Sequence, residues 1–381
     1  MGSKTFFFAG GGTGGHIYPA IAVAERIVES QPEAKIHFFC SNRDIDSQIL
    51  SKTNFEYTQL AAEGFSIRPG KLIRFCKSFL KSSSTAGKII ADSQNPLVIG
   101  TGGFVAGPVC WAARKLKVPV TLLNVDIVPG RANKIMAHWA DRIFVQFADT
   151  VKDFAKSKAK ITVAGCPLRS GFDNPEPEKI KSQLGLDENK KILLITGASS
   201  GAANINEAVC CLLGKLEAFK DDWQIVHLAG RGNLARVQEK YVNAKTRHVV
   251  LDYFDDMPSL LSAADLGVGR SGAVSVAEYA AAGLATICMP YPYHKDMHQY
   301  LNAGKLVEAG AAVIVDDLPD AKDRAEWLAE ELGELMRNDA KRKEMKENCR
   351  KFANRKAASK IAMELLENSE SRSQKTAGAF N

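Results

Sequence analysis

The chain has 381 residues, 45% of them hydrophobic and 24% charged, with a formal net charge of +7. That length accommodates two domains of ordinary size, and the composition excludes a disordered or fibrous protein. No stretch approaches the roughly 20 apolar residues that cross a bilayer. The opening TFFFAG is too short for a secretory leader, and the eight cysteines are scattered with no C-x-x-C pair, so reduced thiols in a cytoplasm are expected.

In chain order, short apolar runs alternate with helical patterns. KTFFFA (4–9) reads as a buried strand running into the glycine turn AGGGTGGH (9–16). Pro19 then suits the first turn of a helix whose Ile21, Ala24, Ile27 and Val28 share a face. Further strands are expected at 35–40, 96–100, 119–125, 142–146 and 160–165. The series restarts at 190–197, again running into a glycine turn (TGASSGAAN), and continues at 223–230, 248–254, 265–269, 285–290 and 311–316. Strand and helix in alternation imply parallel sheets covered on both faces. The expected fold class is therefore α/β, with two Rossmann-like doubly wound domains and a cleft between them. The domains are placed at 1–165 and 166–340, followed by one helix at 341–368 that could return to the N-terminal domain. A polar tail at 369–381 has little to bury and is expected to be disordered.

Gly10, Gly12 and Gly15 match the spacing of a dinucleotide-binding turn. The acid that should hold a ribose at the end of the second strand is missing, since that strand ends in Cys40-Ser41-Asn42-Arg43. The second turn spells G-x-S-x-G at Gly197, Ser199 and Gly201, but no convincing His and Asp follow it. Tyr241 and Lys245 form a Y-x-x-x-K that is misplaced for a short-chain dehydrogenase. Glycines could simply permit tight turns. A strand that ends in glycines and feeds a helix also aims backbone N–H groups and the helix dipole at one point, which suits phosphate. GRSGAVSVAEYAAAG (269–283) supplies a third such turn, with Gly283 as the helix C-cap, and adds Glu278. A carboxylate repels phosphate but accepts well from two ribose hydroxyls. His294 and His298 are spaced i, i+4 without a third ligand, and Asp44-Ile45-Asp46 does not follow a clear strand end, so no metal is expected.

The segment from Gly64 to Ala91 carries six basic residues and no acid. Phe65, Ile67, Leu72, Phe75 and Phe79 interleave with Arg74 and Lys77, and a helix from Lys71 is expected to put Leu72, Cys76, Phe79 and Leu80 on one face. A basic amphipathic helix suits an anionic membrane surface. No nucleic-acid motif accompanies the charge.

GGGTGGHIYPAIAVAERI, GTGGFVAGP, GCPLR, GASSGAANIN, DDMPSLLSAAD, GRSGAVSVAEYAAAGL and HKDMHQYLNA occur in that order and together resemble the MurG-type transferases. The resemblance implies a GT-B fold and inverting transfer of N-acetylglucosamine from UDP-GlcNAc to the 4-hydroxyl of an undecaprenyl-diphosphate-linked muramyl-pentapeptide. It implies work at the cytoplasmic face of the plasma membrane, as a peripheral protein, with no cofactor or metal. It assigns the ribose to Glu278 with Ala273, Val274 and Ser275 nearby, and the uracil to Phe254. Ser199 and Arg169 fall to the nucleotide phosphates, and His298 and Gln299 to the sugar. Thr13, Gly14 and Gly15 would face a sugar diphosphate. His16 is a candidate general base, since imidazole titrates near neutral pH; a hydrogen bond that pins the loop is the competing role. Where the family has His-Glu-Gln-Asn, this chain has Leu123-Asn124-Val125-Asp126, so Asp126 is a second candidate base and sugar contact. That departure leaves open a related transferase with another UDP-sugar or glycolipid acceptor. An epimerase of UDP-N-acetylglucosamine with the same fold is a further alternative.

Overall fold

The computed structural model describes residues 4–65, 68–197 and 201–377, with side chains to residue 367. It divides into two compact units, Met1–Arg169 with Lys356–Asn381, and Ser170–Arg355. In the first, β1 (Thr5–Ala9), β2 (Lys35–Ser41), β3 (Glu56–Leu60), β4 (Pro96–Gly100), β5 (Val120–Asn124), β6 (Arg142–Val145) and β7 (Lys160–Val163) form one sheet in the order β3-β2-β1-β4-β5-β6-β7. Every pairing is parallel. Helices cover both faces, which is why Phe6, Phe7 and Phe8 can be consecutive and all buried. Phe7 stacks on Phe39 and Phe8 on Phe38 from opposite sides of the sheet, and each buried ring contributes about 2–3 kcal/mol of apolar transfer.

The second unit repeats the plan. β8 (Lys191–Thr196), β9 (Trp223–Leu228), β10 (His248–Leu251), β11 (Leu266–Gly269), β12 (Thr286–Cys288) and β13 (Ala312–Ile314) are ordered β10-β9-β8-β11-β12-β13, again all parallel. In both sheets the strand order reverses beside the strand that opens the unit. Ligands of doubly wound folds bind outside the carboxyl ends of strands at such a reversal.

Some local expectations need correction. β3 was not expected; EYTQL buries only its last residue, so this edge strand has no apolar run to reveal it. The first helix begins at Gly14 and runs to Ser30, which puts Pro19 inside it rather than in its first turn. The single helix expected from 341 to 368 is two, Asp339–Phe352 and Ala357–Ala377, separated by residues 353–356. The helix Asp339–Phe352 belongs to the second unit and Ala357–Ala377 to the first, where Glu364 pairs with Arg142 at 2.5 Å and Lys360 donates to the Val163 carbonyl at 2.9 Å. Ile361, Ala362 and Leu365 are buried there. Residues 369–377, expected to be disordered, instead continue that helix, and 378–381 lie outside the described residues.

A buried polar chain stiffens the second unit. Tyr241 donates to His227 Nδ1 at 2.9 Å, His227 Nε2–H donates to Asn206 Oδ1 at 3.0 Å, and Asn206 donates to the Ala229 carbonyl at 2.8 Å. Tyr241 is thus structural, while Lys245 pairs on the surface with Glu217, so the Y-x-x-x-K pattern is no catalytic pair. Burial lowers the His227 pKa to about 3. The unfolded imidazole binds a proton near pH 6.5 and the folded one does not, so stability is full above that pH and falls as pH drops toward 3. The urea midpoint of the second unit should therefore decline between pH 6.5 and 4. His227→Gln, which keeps an amide donor and acceptor but cannot titrate, should remove up to about 1.4 kcal/mol per pH unit of that slope. An unchanged slope would show that His227 is not its source.

Candidate functional site

In the first unit the loops after β1, β4 and β5 emerge side by side at the carboxyl edge of the sheet. The glycine turn after β1 wraps a buried carboxylate. Asp46 accepts from the Gly12 N–H at 2.8 Å, from the Ser41 N–H at 3.0 Å and from the Ser41 hydroxyl at 2.6 Å. A Cβ on Gly11 would lie 2.2 Å from Asp46 Oδ2, so the carboxylate fits only against a bare glycine. An acid does return from β2 to this turn, as in dinucleotide folds, but it is fully buried within the protein. It uses the Gly12 N–H itself and rules out the D-x-D pair as a metal clamp. Arg43 closes the same loop from outside, donating to the Gly12 carbonyl at 2.9 Å with its guanidinium 5.4 Å from the Phe104 ring centre.

The helix Gly14–Ser30 leaves this turn with Thr13 exposed, Gly14 buried and Gly15 and His16 half-buried. Pro19 has no N–H, so the Gly15 carbonyl receives no helical bond from it. His16 Nδ1 lies 3.0 Å from the Thr101 carbonyl. A carbonyl only accepts, so Nδ1 carries a hydrogen, and in the neutral ring the lone pair is therefore on Nε2. The ring can pack this closely because Gly102 follows: a Cβ there would meet His16 Cε1 at 2.9 Å and Asn133 Oδ1 at 3.4 Å. Gly102 also has φ +113, a conformation open to glycine.

Asn133 was not foreseen. It is 6% exposed, and among the described residues its Oδ1 accepts no hydrogen bond while its Nδ2 donates to Asn124 Oδ1 at 2.8 Å. Asn124 in turn donates to the Asp126 carbonyl at 2.7 Å. The departure from the family pattern therefore sits in an amide chain that shapes the half-buried loop of Asp126. Only the R-A-N-K stretch opening the helix Arg131–Met136 marks Asn133 in sequence. Arg169 belongs to this unit as well, with its guanidinium 4.3 Å from the ring centre of Tyr18, two residues beyond His16.

In the second unit Ser199 falls outside the described residues, but the end of its turn is visible. Gly201, at φ +72, approaches so closely that a Cβ would meet the Ala229 carbonyl at 2.5 Å. The third turn is held by charge. Buried Arg270 lies 2.8 Å from Asp317 Oδ2 and donates to the Met289 carbonyl at 2.9 Å. Asp317 Oδ1 accepts from Asn204 at 2.9 Å, and Asn204 opens the helix Ala203–Leu216 that leaves the second turn. One buried carboxylate thus fixes both turns. The helix Ala273–Ala282 follows, with Ala273 buried, Val274, Ser275 and Glu278 half-buried, and Gly283 as the expected left-handed C-cap at φ +68. The Gln299 side chain accepts from the Tyr291 N–H at 3.0 Å, its backbone carbonyl accepts from Ser271 at 2.9 Å, and His298 pairs with Asp296 at 2.7 Å. Phe254 is buried three residues beyond β10.

The basic segment is helical over Pro69–Ala91, and Ile67 lies outside the described residues. Its faces differ from expectation. Phe75 and Phe79 turn half inward above Ser82, Ala86 and Ile90, whereas Leu72 and Cys76 are exposed. Phe65, Ile73 and Leu80 are 66%, 58% and 65% exposed. They stand among Arg68, Lys71, Arg74, Lys77 and Lys81, all exposed, with Arg74 3.8 Å from Glu63 just outside the segment. Among the described residues no helix is long and apolar enough to cross a membrane.

Two glycosyltransferase family 28 models match, the N-terminal domain over residues 6–145 and the C-terminal domain over 192–362. The chain belongs to glycosyltransferase family 28, with the two-domain α/β architecture of the GT-B fold. It is 34% identical over 354 residues to the UDP-N-acetylglucosamine–N-acetylmuramyl-(pentapeptide) pyrophosphoryl-undecaprenol N-acetylglucosamine transferase of Thermodesulfovibrio yellowstonii, covering 93% of this chain and 95% of that one. The crystal structure of Acinetobacter baumannii MurG superposes with a TM-score of 0.72 at 25% identity, covering 96% and 100% of the two chains. UDP-GlcNAc 2-epimerase of Neisseria meningitidis reaches 0.70 at 15% identity over 96% and 100%, a likeness of fold alone.

Asp46→Ala leaves two buried N–H groups without an acceptor, and should cost the first unit about 3 kcal/mol. Hydrogen exchange at Gly12 and Ser41 should accelerate accordingly, and Asp46→Asn should lose less. Unaltered exchange at both amides would refute the assigned role.

Proposed function

We propose that the protein transfers N-acetylglucosamine from UDP-GlcNAc, with inversion, to the 4-hydroxyl of a polyprenyl-diphosphate-linked muramyl-pentapeptide at the cytoplasmic membrane surface. Membership of the family along both halves and the activity named for the relatives support the reaction. The observation that carries the chemistry is the bond from His16 Nδ1–H to the Thr101 carbonyl, which in the neutral ring directs the lone pair to Nε2.

In this reading Nε2 takes the proton from the acceptor hydroxyl as its oxygen bonds to the anomeric carbon. The bond from that carbon to UDP breaks on the opposite face, and its electron pair stays on the β-phosphate oxygen. Inversion follows from the single displacement. Thr13, Gly14 and Gly15 offer first-turn N–H groups, and Arg169 a cation, to diphosphate charge. The second unit is assigned the donor: Glu278 accepts from the ribose hydroxyls beside Ala273, Val274 and Ser275, Phe254 supports the uracil, Ser199 meets phosphate, and His298 and Gln299 read the sugar. Asp126 is assigned to sugar hydroxyls, as a carboxylate that accepts but cannot donate. Asp126 would also serve as base in place of His16 if transfer survived loss of the imidazole. No metal is needed for this displacement. Phe65, Ile73 and Leu80 with their basic neighbours would meet anionic lipid, where the acceptor resides.

His16→Ala should reduce kcat by roughly 10²- to 10⁴-fold with UDP affinity intact. Glu278→Ala should do the reverse, weakening UDP-GlcNAc binding about tenfold or more in titration calorimetry. Equal donor affinity in Glu278→Ala would remove its ribose role. Arg74→Glu with Lys77→Glu should lower sedimentation with anionic vesicles yet spare turnover of a water-soluble acceptor analogue. Undiminished sedimentation would argue against the membrane surface.

A further inference from the structure

We propose that His294, Asp296 and His298 form a binding site for a divalent transition-metal cation of the zinc class. Each offers one ligand atom, and the three atoms lie within 4.8 Å of one another. Two imidazoles and a carboxylate are a donor set that zinc accepts, with a fourth position left open. Adjacent ligand atoms around tetrahedral zinc are about 3.3 Å apart, so modest side-chain rotations close the set. In sequence the two histidines lacked a third ligand; the fold supplies it from between them.

Local backbone geometry brings the three together. The Met297 N–H donates to the His294 carbonyl at 3.0 Å, and Met297 takes φ +48 and ψ 27 before the helix His298–Glu308 begins. That left-handed conformation is costly for an L-residue with a side chain, so the surrounding structure imposes it. The bend sets the two imidazole rings 4.3 Å apart, centre to centre, and places Asp296 Oδ1 2.7 Å from His298 Nδ1 and 3.4 Å from the His298 N–H. His294 and Asp296 are exposed and His298 is half-buried, so an ion reaches them from solution. A cation entering here takes the place of the hydrogen bond between His298 Nδ1 and Asp296.

A consequence rests on the assignment of His298 and Gln299 to the donor sugar. A bound cation draws His298 away from the sugar and stiffens the turn that carries Gln299, so it raises the apparent KM for UDP-GlcNAc.

The test is titration calorimetry with zinc ion on the full chain carrying Cys76→Ser and Cys211→Ser, because those two thiols are exposed and would take zinc themselves. One zinc per chain is expected, with at least tenfold weaker binding in His294→Ala and recovery in His294→Cys, which restores a ligand. Cobalt in place of zinc should give the intense visible band of a four-coordinate ion, absent in His294→Ala. Equal zinc affinity with and without His294, or no binding at all, would overturn the site. In transfer assays zinc should raise the donor KM of the parent but not of His294→Ala. Binding without that change leaves the metal site standing and counts against the sugar role of His298.

Discussion

When every strand of a sheet runs the same way, all the turns that leave their carboxyl ends emerge on a single edge. Each unit of this chain obeys that constraint, and its chemistry-bearing residues gather accordingly. In the first unit the turns after β1, β4 and β5 bring the glycine loop, Thr101-Gly102 and Asn124-Val125-Asp126 to one rim. In the second, the turns after β8 and β11 do the same for Gly201 and Arg270. Reversal of strand order beside the opening strand separates neighbouring helices and leaves backbone N–H groups facing a ligand.

Glycines alone would leave such turns loose. Here internal acids set them: Asp46 is met by hydrogen bonds and Asp317 by the cations of Arg270 and Arg324 with one bond from Asn204, so that burial of each charge is tolerable. Asp46 organises the first turn through Gly12 and Ser41. Asp317, between Arg270 and Asn204, joins the two turns of the second unit. In both units buried carboxylates hold the loops. His16 follows the same logic, since a carbonyl from the neighbouring turn selects its tautomer.

Much of this was legible in the sequence. Twelve of the strands coincide with apolar runs read from the chain, because strands covered on both faces must be apolar throughout. The glycine turns were legible for an equally local reason, and Gly283 was foreseen as a cap. The edge strand β3 was hidden by its polar EYTQL, and the break at residues 353–356 by the lack of any proline or glycine to mark it. The basic segment was legible by its charge, yet its faces were misassigned: packing against the helix Gly103–Lys115 turned Phe79 inward, and periodicity cannot tell which of two apolar stripes that neighbour will take. Asn133 and Asp46 escaped because their importance arises from folded partners, Asn124 nine positions from Asn133, and Ser41 and Gly12 five and 34 positions from Asp46.

The excursion of the chain through the second unit has a consequence for biogenesis. Residues Ser170–Arg355 are inserted within the first unit, whose helix Ala357–Ala377 is made after them. During translation the inserted module can complete its core while the host still waits for Ile361 and Leu365 to cover an apolar surface. The half that starts first therefore cannot close its core until the inserted half has been synthesised.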